Sequence, residues 1–396
     1  MAAEFKPGNR LTLLDSGTDY FPALLGAIAE ARVEIYLESY IFAADEIGHA
    51  VASALCQAAR RGVQVNVTVD GFGARNFAAD FLPRLTAAGV RALYYRPEIG
   101  RFHLKRHRLR RLHRKIAVVD ARIAFVGGIN IIDDHNAPAG MRPRFDYAVR
   151  VEGPILADIH HAVRRMWEIV TWASFKRRFR LAPVSRPCCD IAGDQWAAFL
   201  IRDNIRHRND ILNAYLEAID AAREEIIIAN AYFLPGVRFG RALYAAARRG
   251  VRIIVLLQGK TDHPLLRYAT QALYATALQA GIRVFEYERS FMHAKVAVID
   301  GHWATVGSSN IDPFSLLLAK EANVVVRDDR FSGELRSRLL AAIADGAREL
   351  PLEEQTRLPW HARLTRWLAY GLVRAMVGIA GYGQRHWNSR EGRLKD

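Results

Sequence analysis

Apolar runs rich in β-branched residues alternate along the chain with stretches of helical period. VEIYLESYIF from Val33 has the short apolar pattern of a buried strand, the residues up to Arg61 carry helical spacing, and VQVNVTVD from Val63 to Asp70 returns to strand. That order predicts a βαβ unit. It recurs as EIIIANAYF from Glu225, a helical pattern ending at Arg249, and VRIIVLLQ from Val251 to Gln258, with Arg60-Arg61-Gly62 reappearing as Arg248-Arg249-Gly250. Each half then closes with two short strands, KIAVVD and RIAFVGG in the first, KVAVID and HWATVGSSN in the second.

A repeat on this scale predicts an α/β fold of two similar α/β/α domains with mixed sheets, related by a pseudo-twofold axis. Equivalent strand ends then meet at the junction, where α/β proteins often place ligand clefts. Residues 1–185 are expected to form the first domain with its linker, 186–350 the second, and 351–396 a C-terminal amphipathic helical tail; the linker around Thr171 to Asp194 carries Pro183 and Pro187. In the tail, Arg363 to Tyr382 reads as a helix with Arg363, Arg366, Tyr370 and Arg374 on one stripe and an almost wholly apolar opposite face. Two readings are open: a helix packed on the body, or one lying in a membrane interface with arginines at the headgroups.

Charge narrows the partners. The 396 residues carry 56 Lys and Arg against 41 Asp and Glu, a formal net charge of +15, which favours phosphate-rich partners such as nucleic acid or an anionic membrane. Two basic runs concentrate it, Arg101 to Lys115 and Lys176 to Arg180. The N-terminus lacks the basic start and apolar core of a secretory signal, and no stretch approaches the roughly 20 uncharged residues of a spanning helix, so a soluble or peripheral protein is expected. Three cysteines, Cys56 and the neighbours Cys188 and Cys189, suggest a reducing compartment, since adjacent cysteines rarely meet disulfide geometry.

The chemistry is concentrated in H-x-K-x4-D, present twice as His113, Lys115, Asp120 and as His293, Lys295, Asp300. On an extended strand His and Lys two apart share a face, so each copy offers a nucleophile or acid beside a cation, and two copies meeting would surround one phosphate. At the same interval follow Gly127, Gly128 and Asn130 in the first copy and Gly307, Ser308 and Asn310 in the second, small residues that let backbone approach a ligand. His103, His107, His160, His161 and His302 lack any accompanying C-x2-C or H-E-x-x-H spacing, so no metal is expected.

The paired motifs resemble those of the phospholipase D superfamily, and the GG of the first with the GS of the second is similar to bacterial cardiolipin synthases, the short type lacking transmembrane segments. The likeness runs from about Gly8 to Leu350 and includes Pro7-Gly8-Asn9, the GSSNIDPFSL string from Gly307, and Asp146 followed by VRVEGP. It implies two phospholipase-D-like domains, carboxylates pairing with the catalytic histidines at the matching positions Asp146 and Glu321, and no cofactor. Ala319 departs from it, where relatives often carry asparagine.

The resemblance and the residue chemistry together predict a phosphatidyltransferase working through a phosphohistidine. A neutral imidazole attacks phosphorus while its protonated partner releases the leaving alcohol. His113 is expected to form the intermediate and His293 to act as acid and then base. Lys115 and Lys295 neutralise the phosphoryl oxygens, with Asn130 and Asn310 adding hydrogen bonds. Asp120 and Asp300 are expected to anchor loops rather than transfer protons, and Tyr40 and Tyr232, aligned by the repeat, to line the lipid path. Water as acceptor would make the enzyme a hydrolase releasing phosphatidic acid; a nuclease is a more distant alternative, disfavoured by the apolar tail. The expected partners are anionic phospholipids and a membrane surface rather than nucleic acid, and the expected location is peripheral, on the cytoplasmic face of a bacterial membrane.

Overall fold

A computed structural model describes residues 3–96, 111–136, 142–175, 179, 186–203, 206–260, 264–312 and 319–381. In the first half, β1 (Lys6–Asp15), β2 (Glu34–Ser39), β3 (Gln64–Asp70), β4 (Arg91–Tyr95), β5 (Arg111–Leu112), β6 (Lys115–Val119), β7 (Ile123–Gly127), β8 (Arg142–Phe145) and β9 (Tyr147–Glu152) follow in order. In the second half come β10 (Gln195–Arg202), β11 (Glu225–Asn230), β12 (Arg252–Gln258), β13 (Arg283–Tyr287), β14 (Ser290–Met292), β15 (Lys295–Ile299), β16 (Trp303–Gly307), β17 (Ala319–Arg327) and β18 (Ala347–Glu349).

The two halves have the same plan. β2, β3 and β4 run parallel, and β2 pairs antiparallel with β6, then β7, then β9; β11, β12 and β13 are parallel, and β11 pairs antiparallel with β15, β16 and β17. Helical crossovers produce the parallel part and tight turns the antiparallel part, so each sheet is mixed. The two sheets join edge to edge where β1 pairs antiparallel with β10, giving one 16-stranded sheet. β2 and β6 are buried at every position, as expected of strands covered on both faces.

Three apolar cores result. One lies over the outer face of the first sheet, under the helices Ser16–Glu30 and Glu46–Arg60; one lies over the outer face of the second, under Asp210–Ala221 and Val237–Arg248. The third is shared. Leu11, Val118 and Val149 of the first half meet Ile227, Val296 and Val324 of the second, together with the helices Leu156–Ala173 and Asp329–Gly346. Burial of such side chains is worth roughly 1.5–3 kcal/mol each, so the halves are held together by core packing and not by a linker.

The tail helix spans Trp360–Gly381, starting three residues before the sequence suggests because Pro359 supplies its first carbonyl acceptor, taken by the Arg363 N–H. It docks along a narrow line: Val373 packs with Leu234 and Ala269, and Ala369 is also buried. Trp360, Leu364, Trp367, Leu368, Leu372 and Met376 remain exposed. The helix therefore rests on the body along this line while its broad apolar face points to solvent. No described helix is long and apolar enough to cross a membrane. All three cysteines are free thiols. Most of both basic runs, including His103 and His107, lies outside the described residues, as do part of the linker and everything after 381.

Candidate active site

The two motifs meet, and each is completed by the other half. β5, just before His113, pairs in parallel with the start of β17, and the His113 N–H donates to the Lys320 carbonyl. In the same way β14, just before His293, pairs in parallel with β8, and the His293 N–H donates to the Phe145 carbonyl. The histidines thus stand ahead of β6 and β15 rather than on them, a correction to the strand placement expected from the motif. The chain leaves the sheet there to pair across the junction.

That crossing decides which carboxylate each histidine meets. His113 Nδ1 lies 3.0 and 3.1 Å from the two oxygens of Glu321, and His293 Nδ1 lies 2.7 Å from Asp146 Oδ2. A carboxylate facing Nδ1 holds the proton on that nitrogen and leaves Nε2 for chemistry. The rings keep 15% and 17% exposure while Glu321 and Asp146 keep 0% and 7%, so only the imidazoles look into the cleft. Lys115 and Lys295 are buried, and each ammonium donates to the backbone carbonyl of its own histidine.

Crowding of positive groups away from water shifts their titration. Burial lowers the Lys115 ammonium to about 7 and that of Lys295 to about 8. Burial also lowers His113, with Glu321 pulling it back up, and drives His293 well below its ordinary value, with Lys295, Lys115 and His113 pushing the same way. Asp146 is raised by burial to about 6, against the pull of Lys295. Lys295 also lies 3.8 Å from Asp146, so the cleft sets two imidazoles and two buried ammonium groups against the two carboxylates, an arrangement able to receive an anion between the cations.

Asp120 and Asp300 each cap a turn. Asp120 accepts the N–H groups of Arg32, Val33 and Glu34 at 2.8, 2.8 and 3.0 Å, and Asp300 those of Arg223, Glu224 and Glu225 at 2.8, 2.9 and 2.9 Å. Both sit at positive φ, 51° and 52°, a conformation aspartate tolerates. Asn130 and Asn310 are buried just past β7 and β16. The Asn130 oxygen accepts the Ile41 N–H at 3.1 Å, so any phosphate contact from this residue has to come from its amide nitrogen.

Tyr40 packs edge-on against His113 with centroids 4.9 Å apart, and the Lys115 ammonium lies 5.4 Å from its ring. Its pairing with Tyr232 needs correction. Phe42 bridges Ile131 and Phe233 bridges Ile311, which makes Ala231 the counterpart of Tyr40 and shifts Tyr232 by one residue. His160 is buried with its Nε2 2.7 Å from Glu34, His302 faces Asp329 at the surface, and His161 is exposed; none joins the cleft.

Sequence reasoning missed two positioning residues. Asp70 Oδ2 accepts the Leu112 N–H at 2.8 Å and Gln258 Oε1 the Met292 N–H at 2.5 Å, so the last residue of β3 and of β12 fixes the peptide just before each histidine. The signal was present: a residue with a side-chain carbonyl oxygen, Asp70 or Gln258, ends the same strand in both halves. Ser308 was also missed as a partner of Glu321, to which its hydroxyl donates at 2.6 Å.

A family model described as "Cardiolipin synthase, PLD-like domain" matches residues 24–167 and 215–342, one stretch in each half. The chain belongs to that family. Cardiolipin synthase B of Escherichia coli K12 is 41% identical over 98% of this chain and 93% of its own length, and cardiolipin synthase A of Proteus mirabilis is 30% identical over 92% and 75%. Among solved structures, phosphatidylserine synthase of Haemophilus influenzae aligns with a TM-score of 0.70 over 92% of this chain and 94% of its own, at 13% identity, a likeness of fold. In this chain the two matched stretches fall one in each half, and the two motifs converge in the cleft between them.

Proposed function

We propose that this chain is a cardiolipin synthase, moving a phosphatidyl group from one phosphatidylglycerol to the headgroup hydroxyl of another. The observation that supports this reading most is the reciprocal site: two imidazoles, each held by a buried carboxylate of the opposite half, over two buried lysines.

His113 Nε2 attacks phosphorus, the bond to the headgroup glycerol breaks, and His293 gives that oxygen its proton. Glycerol leaves a phosphatidyl-His113 whose ring is cationic. Glu321, held in place by Ser308, is the fixed counter-charge for that ring. His293, now neutral, takes the proton of the incoming hydroxyl, which attacks phosphorus and breaks the P–N bond. Asp146, lifted to about 6 and 2.7 Å from His293, can share that proton near neutral pH, which suits the His293–Asp146 pair to the acid and base role. Lys115 and Lys295 hold the phosphoryl oxygens as charge accumulates on them. Asn130 and Asn310 contribute amide donors, and Asp120 and Asp300 keep the turns beneath the motifs in place.

The enzyme works peripherally on the cytoplasmic face of a bacterial membrane. The exposed stripe from Trp360 to Met376 enters the interface, and the net charge of +15 draws the protein to anionic lipid.

The test is mass-spectrometric product analysis after incubation with phosphatidylglycerol vesicles, beside His113→Ala and His293→Ala. Cardiolipin plus glycerol from the unmodified chain alone supports the transferase. Phosphatidic acid alone would make the chain a hydrolase, and absence of lipid product with every donor would refute the lipid reading.

A further inference from the structure

Two short parallel ladders strap the histidines into the cleft, β14 with β8 ahead of His293 and β5 with the start of β17 ahead of His113. They present different side chains at the same places. Asp146 corresponds to Glu321, so Arg144 stands where the other strap has Ala319; His293 corresponds to His113, so Phe291 stands where it has Arg111. Arg144 lies over the Phe291 ring, 5.0 Å from its centroid, whereas Arg111 is turned onto Phe72 at 4.6 Å. Beside His293 and Asp146, then, a guanidinium stacks on an aromatic ring, and the first motif has no such pair at the matching positions.

Phe291 shares a strand face with His293, since the alternate residues Ser290, Met292 and Ala294 are buried while these two are not. The Arg144 Nη2 donates to the Asn136 carbonyl at 2.9 Å; its Nε is buried without an acceptor, and its Nη1 makes no hydrogen bond among the described residues. Its charge reaches His293, adding to burial and to Lys295, Lys115 and His113 in depressing that imidazole. The carboxylates close by are engaged elsewhere. Asp134 accepts the Gly17 N–H, and Asp345 is shared by Arg142 and Arg289. Even with both acids counted against the three arginines, this strap keeps an excess of positive charge.

The reaction says which anion arrives there. Displacement at phosphorus is in line, so the hydroxyl that frees His113 comes from the side opposite that ring, where His293 takes its proton. In an acceptor phosphatidylglycerol this hydroxyl is separated from the lipid's own phosphate by the carbons of the headgroup glycerol. That span is comparable to two residues of extended chain, about 7 Å, the step from His293 back to Phe291. Water, the competing acceptor, carries no phosphate and gains nothing from a cation placed at that distance.

We propose that Arg144, stacked on Phe291, binds the phosphodiester of the acceptor phospholipid and so selects lipid over water as the group that discharges the phosphohistidine. The proposal rests on the transferase reading of the site and deepens it. With the acceptor seated, its hydroxyl oxygen bonds to phosphorus, the P–N bond to His113 breaks, the proton passes to His293, and cardiolipin leaves. With the seat lost, water makes the same attack and phosphatidic acid leaves. The glycerol released in the first step departs on this side without a phosphate of its own, so formation of the intermediate does not call on Arg144.

The experiment measures how the intermediate partitions. The unmodified chain, Arg144→Gln and Arg144→Lys are incubated with phosphatidylglycerol vesicles, and cardiolipin and phosphatidic acid are quantified by mass spectrometry. Arg144→Gln should lower the ratio of cardiolipin to phosphatidic acid about tenfold or more, the usual effect of removing a hydrogen bond to a charged group, and Arg144→Lys should restore part of it. An unchanged ratio in Arg144→Gln, whether or not total activity falls, would overturn the proposal. Because Arg144 also holds the Asn136 carbonyl and its replacement can loosen the fold, the unmodified chain is offered glycerophosphoglycerol and glycerol as soluble acceptors of the phosphatidyl group. Capture by glycerophosphoglycerol at about tenfold lower concentration supports the site, and equal capture of the two refutes it. If phosphatidic acid is the sole product with vesicles and with both soluble acceptors, the transferase reading fails and the site with it. Cardiolipin synthesis without preference between the soluble acceptors keeps the enzyme and removes the site.

Discussion

Each half supplies one carboxylate to the other's histidine, and the two are built on opposite terms. Asp146 is short and lies against Gly128, where an added Cβ would come within 2.3 and 2.4 Å of its two oxygens. Glu321 is longer, and the serine at the corresponding place, Ser308, hydrogen-bonds to it. The loops beyond are also tied in opposite senses: Asn130, past the first motif, holds the Ile41 N–H, whereas Asn230, at the end of β11, holds the Ile311 N–H past the second. Duplication gave two equivalent clefts' worth of residues. On the mechanism proposed above, the differences would make His293–Asp146 the proton-sharing pair and Glu321 the fixed partner of His113.

The largest effect tests what the halves share. His113→Ala and His293→Ala should each lower turnover by about 10⁴-fold or more, and the double variant should be little worse than either, because the two act as a unit. Comparable loss from both with additivity in the double variant would mean separate roles.

The next separates the two carboxylates. Asp146→Asn and Glu321→Gln should each cost on the order of 10²-fold. The His293–Asp146 pair holds the proton it donates only below the Asp146 pKa of about 6, so activity of the unmodified enzyme should fall as pH rises through that value; Asp146→Asn should abolish this limb and Glu321→Gln should keep it. A pH–rate profile of the three proteins decides.

The lysines give a smaller effect. They carry charge only below their pKa values of about 7 and 8, so inhibition by inorganic phosphate should weaken about tenfold as pH rises from 7 to 9, even though the bound anion itself pulls both values upward. A flat inhibition constant would contradict the site electrostatics.

The smallest effects come from exchanging the residues beside the carboxylates. Gly128→Ser should displace Asp146 and cost about tenfold in turnover, whereas Ser308→Gly should cost only a few-fold and about 1 kcal/mol in stability, the usual worth of one hydrogen bond. Reversal of that order, read from kinetics and thermal melts, would show that the halves differ for some other reason.

Much of this was legible in the chain. The duplicated βαβ pattern placed both mixed sheets, and His113, Lys115, His293 and Lys295 stood out because their spacing repeats. The reciprocal pairing was harder to see, because it arises only when β5 and β14 leave their own sheets and cross the junction; Asp146 and Glu321 became visible through resemblance, while the half each serves is set by three-dimensional register. Tyr232 was misaligned with Tyr40 by one residue, since two aromatic positions after an apolar strand look alike until Phe42 and Phe233 fix the frame.

The division of labour between the histidines can be read directly with phosphatidyl-p-nitrophenol, a donor whose leaving group needs no acid. In His293→Ala the first step should proceed and the second stall, giving a burst of one nitrophenolate per chain and a phosphatidyl mass increment on His113, with neither in His113→Ala. A burst in His113→Ala with the increment on His293 would reverse the assignment, and a steady rate without any adduct would remove the covalent intermediate altogether.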